Sequence, residues 1–241
     1  ESVESNQSNF GIVPIENSLA GRVADIHYLI PKYKLQIQSE HFQKVSHNLL
    51  GIKGSKIKDI KTVRSHAQAI GQCQKIIKEN KFETIISADT AGSAKYIFEK
   101  NKKSDAAIAS NLAAKIYNLD ILKTNVQDEA QNVTRFFIMQ KKSEHPDLKD
   151  KKYITSCIFK LKSIPAALYK ALGGFATNNI NLCKLESFTV KNTFDQMNFY
   201  IDIEGHLEDQ SVQKALEELG FHTQKLDILG VYEAHKFRFK N

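Results

Sequence analysis

The chain has 241 residues, 41% of them hydrophobic and 25% charged, which suits one large or two medium domains with an ordinary core. No apolar run approaches the roughly 20 residues that a membrane span needs. The net charge of +7 is spread over lysines scattered among acids, with arginine only at Arg22, Arg64, Arg135 and Arg238, so a nucleic-acid-reading stripe is not expected.

Taken in chain order, "NFGIVPI" reads as a short apolar strand. "NSLAGRVADIHYLI" spaces Leu19, Val23, Ile26 and Ile30 helically, and Asn17 or Ser18 can cap that helix. "HFQKVSHNLLGI" and "IKTVRS" read as strands. "HAQAIGQCQKIIKEN" reads as a helix with Ile70, Cys73 and Ile77 on one face. "ETIISA" is a strand, after which Asp89 caps a helix over "TAGSAKYIFEKN". "DAAIAS" is a strand and "NLAAKIYN" a short helix, and "DILKTNVQ" and "TRFFIMQK" close the region. This alternation predicts an α/β domain with a mostly parallel sheet.

The charged stretch "KKSEHPDLKDKK" then reads as a linker, 142–152, between domains 1–141 and 153–241. Beyond it the rhythm changes. "YITSCIFKLK" is a strand, and "PAALYKALGGFATNN" a helix with Pro165 at its first position. "INLCKLESFTV" and "MNFYIDIEGH" are paired strands around "KNTFDQ". "SVQKALEELG" is a helix ended by Gly220, and "KLDILGVYEAH" is the last strand. The order βαββαβ is that of a ferredoxin-like sandwich.

Four polar clusters fall where strands give way to helices or loops. They are Glu16, Asn17 and Ser18 in "PIENS"; Ser65, His66 and Gln68 in "RSHAQ"; Asp89, Thr90 and Gly92 in "SADTAGSA"; and Asn132, Thr134 and Arg135 in "NVTRF". In open α/β sheets ligands bind at the carboxyl ends of strands, and helix N-termini there suit anions. Each cluster also has a plain structural reading. Asn17, Ser18, Ser65 and Asp89 are favoured caps, and Thr134 is a common strand residue. Cys73, Cys157 and Cys183 are far apart and form no CxxC, so neither disulfides nor a zinc site is expected. The residues by themselves point to a small anionic ligand in an α/β cleft and name no reaction.

The stretches "GIVPIENSLAGRV", "VRSHAQAIGQC", "SADTAGSAKYI", "DAAIASNLAAKIYNLDIL" and "NVTRFFIM", in that order, closely resemble the prephenate dehydratase family. The part after the linker resembles the ACT domain that follows the catalytic domain in this family. The resemblance implies a catalytic domain of two α/β lobes, similar to periplasmic binding proteins, followed by the ferredoxin-like ACT domain. It implies a cytoplasmic enzyme that converts prephenate to phenylpyruvate without metal or organic cofactor. Thr134 of "TRF" would donate a positioned hydrogen bond or relay a proton to the leaving hydroxyl. Arg135 would clamp a carboxylate. Asn17, Ser18, Ser65, His66, Thr90, Ala91, Gly92 and Asn132 would hold the substrate, and Phe136 would line its pocket. The same resemblance leaves open arogenate, the transaminated substrate, and a non-catalytic binding protein on the same scaffold.

In the second domain the resemblance implies a site for L-phenylalanine as effector and pairing into homodimers or homotetramers. The family's "GAL" turn corresponds to Ala166, Ala167 and Leu168, its "INL" ends in Asn181 and Leu182, and its "ESRP" to Glu186, Ser187, Phe188 and Thr189. The arginine and proline of that last motif are absent here. The family's first strand and its "GPxGTxS" loop have no counterpart ahead of "PIENS", so a segment before Glu1, the first residue, is expected to be missing.

Overall fold

The computed structural model describes residues 1–23, 26–33, 35–141, 145–189 and 197–239. Part of the expected linker, 142–144, and the "KNTFDQ" loop, 191–196, lie outside the described residues. In chain order the strands and helices are β1 (Gly11–Asn17), β2 (Gly21–Arg22), α1 (Ile26–Tyr33), β3 (Gln36–Lys44), β4 (Asn48–Gly51), β5 (Thr62–His66), α2 (Ala67–Gly71), α3 (Gln74–Glu79), β6 (Glu83–Ser87), α4 (Thr90–Lys100), β7 (Asp105–Ala109), α5 (Asn111–Ile116) and β8 (Asp120–Lys123). There follow β9 (Val133–Gln140), β10 (Tyr153–Leu161), α6 (Ala167–Thr177), β11 (Leu182–Thr189), β12 (Met197–Glu204), α7 (Gln210–His222) and β13 (Thr223–Glu233). They form two compact units, Glu1–Gln43 with Thr134–Asn241, and Lys44–Val133. Among the described residues no helix is long and apolar enough to cross a membrane.

In the first unit, strands order β2-β1-β9-β3 in one sheet and β11-β12-β10-β13 in another. The second sheet with α6 and α7 has the expected βαββαβ order, and β10 pairs antiparallel with both β12 and β13. Its central strands are buried on both faces, which is why they read as nearly unbroken apolar runs. Cys157, Phe159, Phe199, Ile201 and Ile203 pack with Ala171, Phe175, Val212, Ala215 and Leu219 of the two helices. The alternate residues Ile154, Ile158 and Tyr200 turn the other way, onto Ile15, Ile37, Phe137 and Met139 of the first sheet. Burying one such side chain stabilises by roughly 1.5–3 kcal/mol. One core therefore joins residues before and after the expected linker.

Several sequence expectations are corrected here. The helix expected from Asn17 onward begins only at Ile26. Asn17 Oδ1 accepts from the backbone N–H of Leu19 and Ala20, and Gly21 takes φ +76, so the chain reverses and β2 pairs back on β1. "HFQKVSHNLLGI" is split between β3 and β4, and "HAQAIGQCQKIIKEN" between α2 and α3. Pro165 lies outside α6, which starts after Ala166 in a left-handed conformation (φ 57). Gly220 lies inside α7 and does not end it.

The second unit holds one five-stranded sheet, β6-β5-β7-β4-β8. β5 runs parallel to β6 and β7, while β4 runs antiparallel to β7 and β8. The mostly parallel reading thus describes this sheet, where β4 alone is reversed. It does not describe the β2-β1-β9-β3 sheet of the first unit, where β1 is antiparallel to β2 and β9. Apolar clusters cover both faces of the five-stranded sheet.

Candidate active site

β1 and β9 pair with one irregularity, a register shift between Pro14 and Glu16. The extra residue, Ile15, is buried, and the shift sets Glu16 opposite Arg135 and Asn17 opposite Thr134. Such bulges re-aim side chains. Here Asn17 Nδ2 donates to Thr134 Oγ1 at 3.0 Å. The orientation of the Asn17 amide is fixed independently. Its Oδ1 already accepts from the N–H of Leu19 and Ala20, at 3.0 and 2.9 Å, so the amino group must face Thr134. Thr134 Oγ1 accepts in this pair, and its own hydrogen is directed elsewhere. Phe136, half-buried, stands on the same face of β9 as Thr134.

Arg135 points to the opposite face, 2% exposed, into the core between the two sheets of the first unit. Four of its five N–H groups are committed to the chain itself. Nε donates to Glu40 at 2.8 Å, and Nη1 to Asp202 at 2.6 Å and Glu16 at 3.1 Å. Nη2 donates to the Tyr232 hydroxyl at 3.0 Å. Asp202 also accepts from Ser156 at 2.5 Å and from the Tyr200 hydroxyl. Glu40 is held in turn by a fork from Arg238, at 2.6 and 2.9 Å. Burial by itself would raise the Asp202 carboxyl. The Arg135 charge and the hydrogen bonds from Ser156 and Tyr200 hold it below the usual carboxylate range. The substrate clamp expected of Arg135 is therefore corrected: the guanidinium is the centre of a buried ion-pair cluster.

In the second unit, the parallel strands β5 and β6 bring "RSHAQ" and "SADTAGSA" to one edge of the sheet, with His66 opposite Ser87. His66 is exposed and caps α2, its Nδ1 accepting from Gln68 N–H at 3.3 Å. The cap expected of Ser65 falls to His66, because Ser65 is fully buried and donates to the Ile108 carbonyl at 2.6 Å. Its hydroxyl is spent on the neighbouring strand, which corrects its expected substrate contact. Asp89 caps α4, as expected, and takes the Gly92 N–H at 2.5 Å. A Cβ on Gly92 would crowd the Asp89 carboxylate, so this glycine serves the cap, and its amide is not available to an anion. Thr90 and Ala91 stand in the first turn of α4. Asn132 is buried and donates to Gln72 Oε1 at 2.8 Å, beside His47, whose Nε2 lies 2.9 Å from the same oxygen.

A model of the prephenate dehydratase family matches residues 1–144. The chain belongs to that family. A bifunctional N-acyl-homoserine lactone acylase/prephenate dehydratase of Komagataeibacter europaeus is 41% identical over 238 residues, 99% of this chain and 85% of the relative. Arogenate dehydratase/prephenate dehydratase 1 of Arabidopsis thaliana is 38% identical over 236 residues, 92% of this chain and 60% of that longer protein. The crystal structure of a prephenate dehydratase from Arthrobacter aurescens in complex with L-Phe superposes with a TM-score of 0.87 at 28% identity, covering 97% of this chain and 78% of that one.

The residues expected at an effector site fall on the βαββαβ sheet and its first helix. Ala166 caps α6 with Ala167 and Leu168 in its first turn. The Asn181 carbonyl accepts from Glu204 N–H, and Leu182 packs into the core under α6 and α7. Ser187 is exposed at the β11 edge, and its carbonyl accepts from Arg22 Nη1 at 3.1 Å. Glu186, half-buried, pairs with Lys184 at 2.8 Å. The reading of the sequence missed Glu40, Ser156, Lys184, Asp202 and Tyr232. One signal was available: an aspartate inside the apolar strand "NFYIDIE" has to be paired if that strand is central. Burial pushes the Cys73 and Cys183 thiols up to about 12, and pushes that of Cys157 up as well, so none offers a reactive thiolate.

Proposed function

We propose that this chain is a prephenate dehydratase, with Thr134 acting on the leaving hydroxyl of the substrate. The carrying observation is the fixed Asn17–Thr134 hydrogen bond. Prephenate loses its ring carboxylate as CO2, and the electrons of that C–C bond aromatise the ring as the C–O bond to the hydroxyl breaks. One proton is taken up so that the oxygen departs as water, which is what general acid catalysis supplies. The Thr134 hydrogen is aimed away from Asn17 and can bond to the departing oxygen. The Asn17 N–H, donating into Oγ1, favours the electron density that grows there as the proton moves outward. Arg135 is a positioning residue in this reading, since its charge is matched within the chain.

Turnover of prephenate to phenylpyruvate tests the proposal. Thr134→Ala should lose roughly 100-fold or more in kcat with the fold unchanged by circular dichroism, within the range of one proton-transfer group. Near-normal turnover would sink it. Side-by-side turnover of arogenate decides between the two substrates named for the family's members.

The same proposal includes regulation. Residues 153–241 act as an ACT domain that binds L-phenylalanine near the Ala166 turn and Glu186–Ser187, and copies of the chain pair through it. The support is the placement of these motifs on the βαββαβ sheet and its first helix, and the L-Phe complex of the Arthrobacter relative. With Phe188 and Thr189 in place of the family's arginine and proline, weak binding is expected. Calorimetric titration with L-phenylalanine and sedimentation of the chain check both statements.

A further inference from the structure

The geometry points to an ion-pair chain, Glu186–Lys184–Glu16–Arg135, that ties the effector edge of the βαββαβ sheet to the Asn17–Thr134 pair, with Lys184 as a positioning residue for the reaction. This rests on the proposed roles of Thr134 and Glu186. Lys184 Nζ lies 2.8 Å from Glu186 Oε1 and 2.5 Å from Glu16 Oε2, and Glu16 Oε1 lies 3.1 Å from Arg135 Nη1. Glu16 and Arg135 are the chain neighbours of Asn17 and Thr134, and the two pairs lie in adjacent register on β1 and β9.

Three features set this chain apart from incidental surface pairing. Its members are shielded: the side chains of Arg135, Lys184, Glu186 and Glu16 are 2%, 12%, 18% and 32% exposed, so solvent and salt screen them weakly. The two strands that meet at the Glu16–Lys184 contact, β1 and β11, are both irregular there. The register of β1 shifts just before Glu16, and that of β11 shifts between Leu182 and Lys184. The two shifts aim the two side chains at each other. A separate contact, Arg22 Nη1 to the Ser187 carbonyl, ties β2 to the same edge of β11.

The sign of the effect follows from charge. A ligand ammonium group at Glu186 competes with Lys184 for the carboxylate. Lys184, losing the carboxylate that anchors it, then holds Glu16 less firmly in place against Arg135, and the aim of the adjoining Asn17–Thr134 pair is relaxed. Ligand binding at the ACT edge is therefore inhibitory in this arrangement.

The test uses the full chain, prephenate as substrate, L-phenylalanine as probe, and the variants Lys184→Met and Lys184→Arg. In Lys184→Met, kcat should fall roughly tenfold with KM within about twofold, because alignment is disturbed while substrate contacts remain. It should still bind phenylalanine by calorimetry, and phenylalanine should no longer alter kcat. Lys184→Arg should restore both kcat and the response. A Lys184→Met enzyme with unchanged kcat and an unchanged response overturns the inference. So does a loss of activity that follows a fall in Tm and is not restored by arginine. The wild-type chain separates the underlying readings. If it does not turn over prephenate, the assignment of Thr134 fails. If it is active but indifferent to phenylalanine, the effector role fails, and the kcat of Lys184→Met alone decides the positioning role.

Discussion

At the scale of single residues, adjacent positions in β9 do opposite work. Thr134 faces Asn17 with its hydrogen free to point outward, and Arg135 faces a buried cluster of carboxylates. Two substitutions separate these roles. Asn17→Asp keeps the acceptor that holds the Leu19–Ala20 turn but replaces the donor to Thr134 by a second acceptor. The Thr134 hydrogen should then turn inward, and kcat should fall by roughly 10–100-fold with little change in stability, read by steady-state kinetics and urea unfolding. Arg135→Met should act on the fold instead. It leaves the buried Asp202 without its nearest cation and Glu40 with Arg238 alone, at a cost of about 3–5 kcal/mol, which urea unfolding would register. Equal stability of Arg135→Met and wild type would show that the cluster is not held by this arginine.

At the scale of elements, the legible parts were those fixed by local periodicity and capping. The βαββαβ order, the cap at Asp89 and the chain of parallel strands in the second unit all rest on apolar spacing and cap chemistry, which sequence carries directly. The illegible parts depend on contacts between distant strands. The bulge at Ile15, which aligns Asn17 with Thr134, has no signature in "GIVPIEN". The partners of Arg135 come from three strands other than β9 and its neighbour β1, namely β3, β12 and β13. Periodicity also extended α1 through Asn17 because it could not see the Asx turn that reverses the chain there. Two glycine exchanges probe element geometry. At Ala166 (φ 57), glycine relieves roughly 1–2 kcal/mol of left-handed strain. It costs roughly 0.4–1 kcal/mol through the looser unfolded chain. Ala166→Gly should thus raise stability by roughly 0.5–1 kcal/mol, seen as a small rise in Tm. Gly230→Ala should do the reverse, because a Cβ there would overlap the Ile37 carbonyl of the facing sheet. The two sheets would have to part, at roughly 1–3 kcal/mol or more.

At the scale of the molecule, the buried ionic cluster ties stability to pH on both sides of neutrality. On the acid side, Glu16 and Asp202 are both desolvated, which alone would raise them. Lys184 and Arg135 for Glu16, and Arg135, Ser156 and Tyr200 for Asp202, hold both below their ordinary values of 4.5 and 3.8. A carboxyl depressed on folding contributes stability that is complete above its unfolded value and is lost as pH falls toward the folded one. The arginine partners, Arg135 and Arg238, stay charged throughout that range, so protonation leaves them buried against neutral acids. On the alkaline side, burial first and the Asp202 charge second push the Tyr200 and Tyr232 hydroxyls well above their ordinary value of 10.0. Groups raised on folding contribute stability below the unfolded value, and this is lost as pH rises beyond it. The free energy of urea unfolding should therefore form a plateau from about pH 5 to pH 9 and fall outside it. Tyr200→Phe should flatten the alkaline fall and leave the acid one. Asp202→Asn should lower the plateau, since Arg135 loses a charge, and should make the acid fall shallower. Stability that rises as the pH drops below 4 would mean that these carboxylates are not charge-paired in the folded chain, and the ionic link between the two sheets would fail with them.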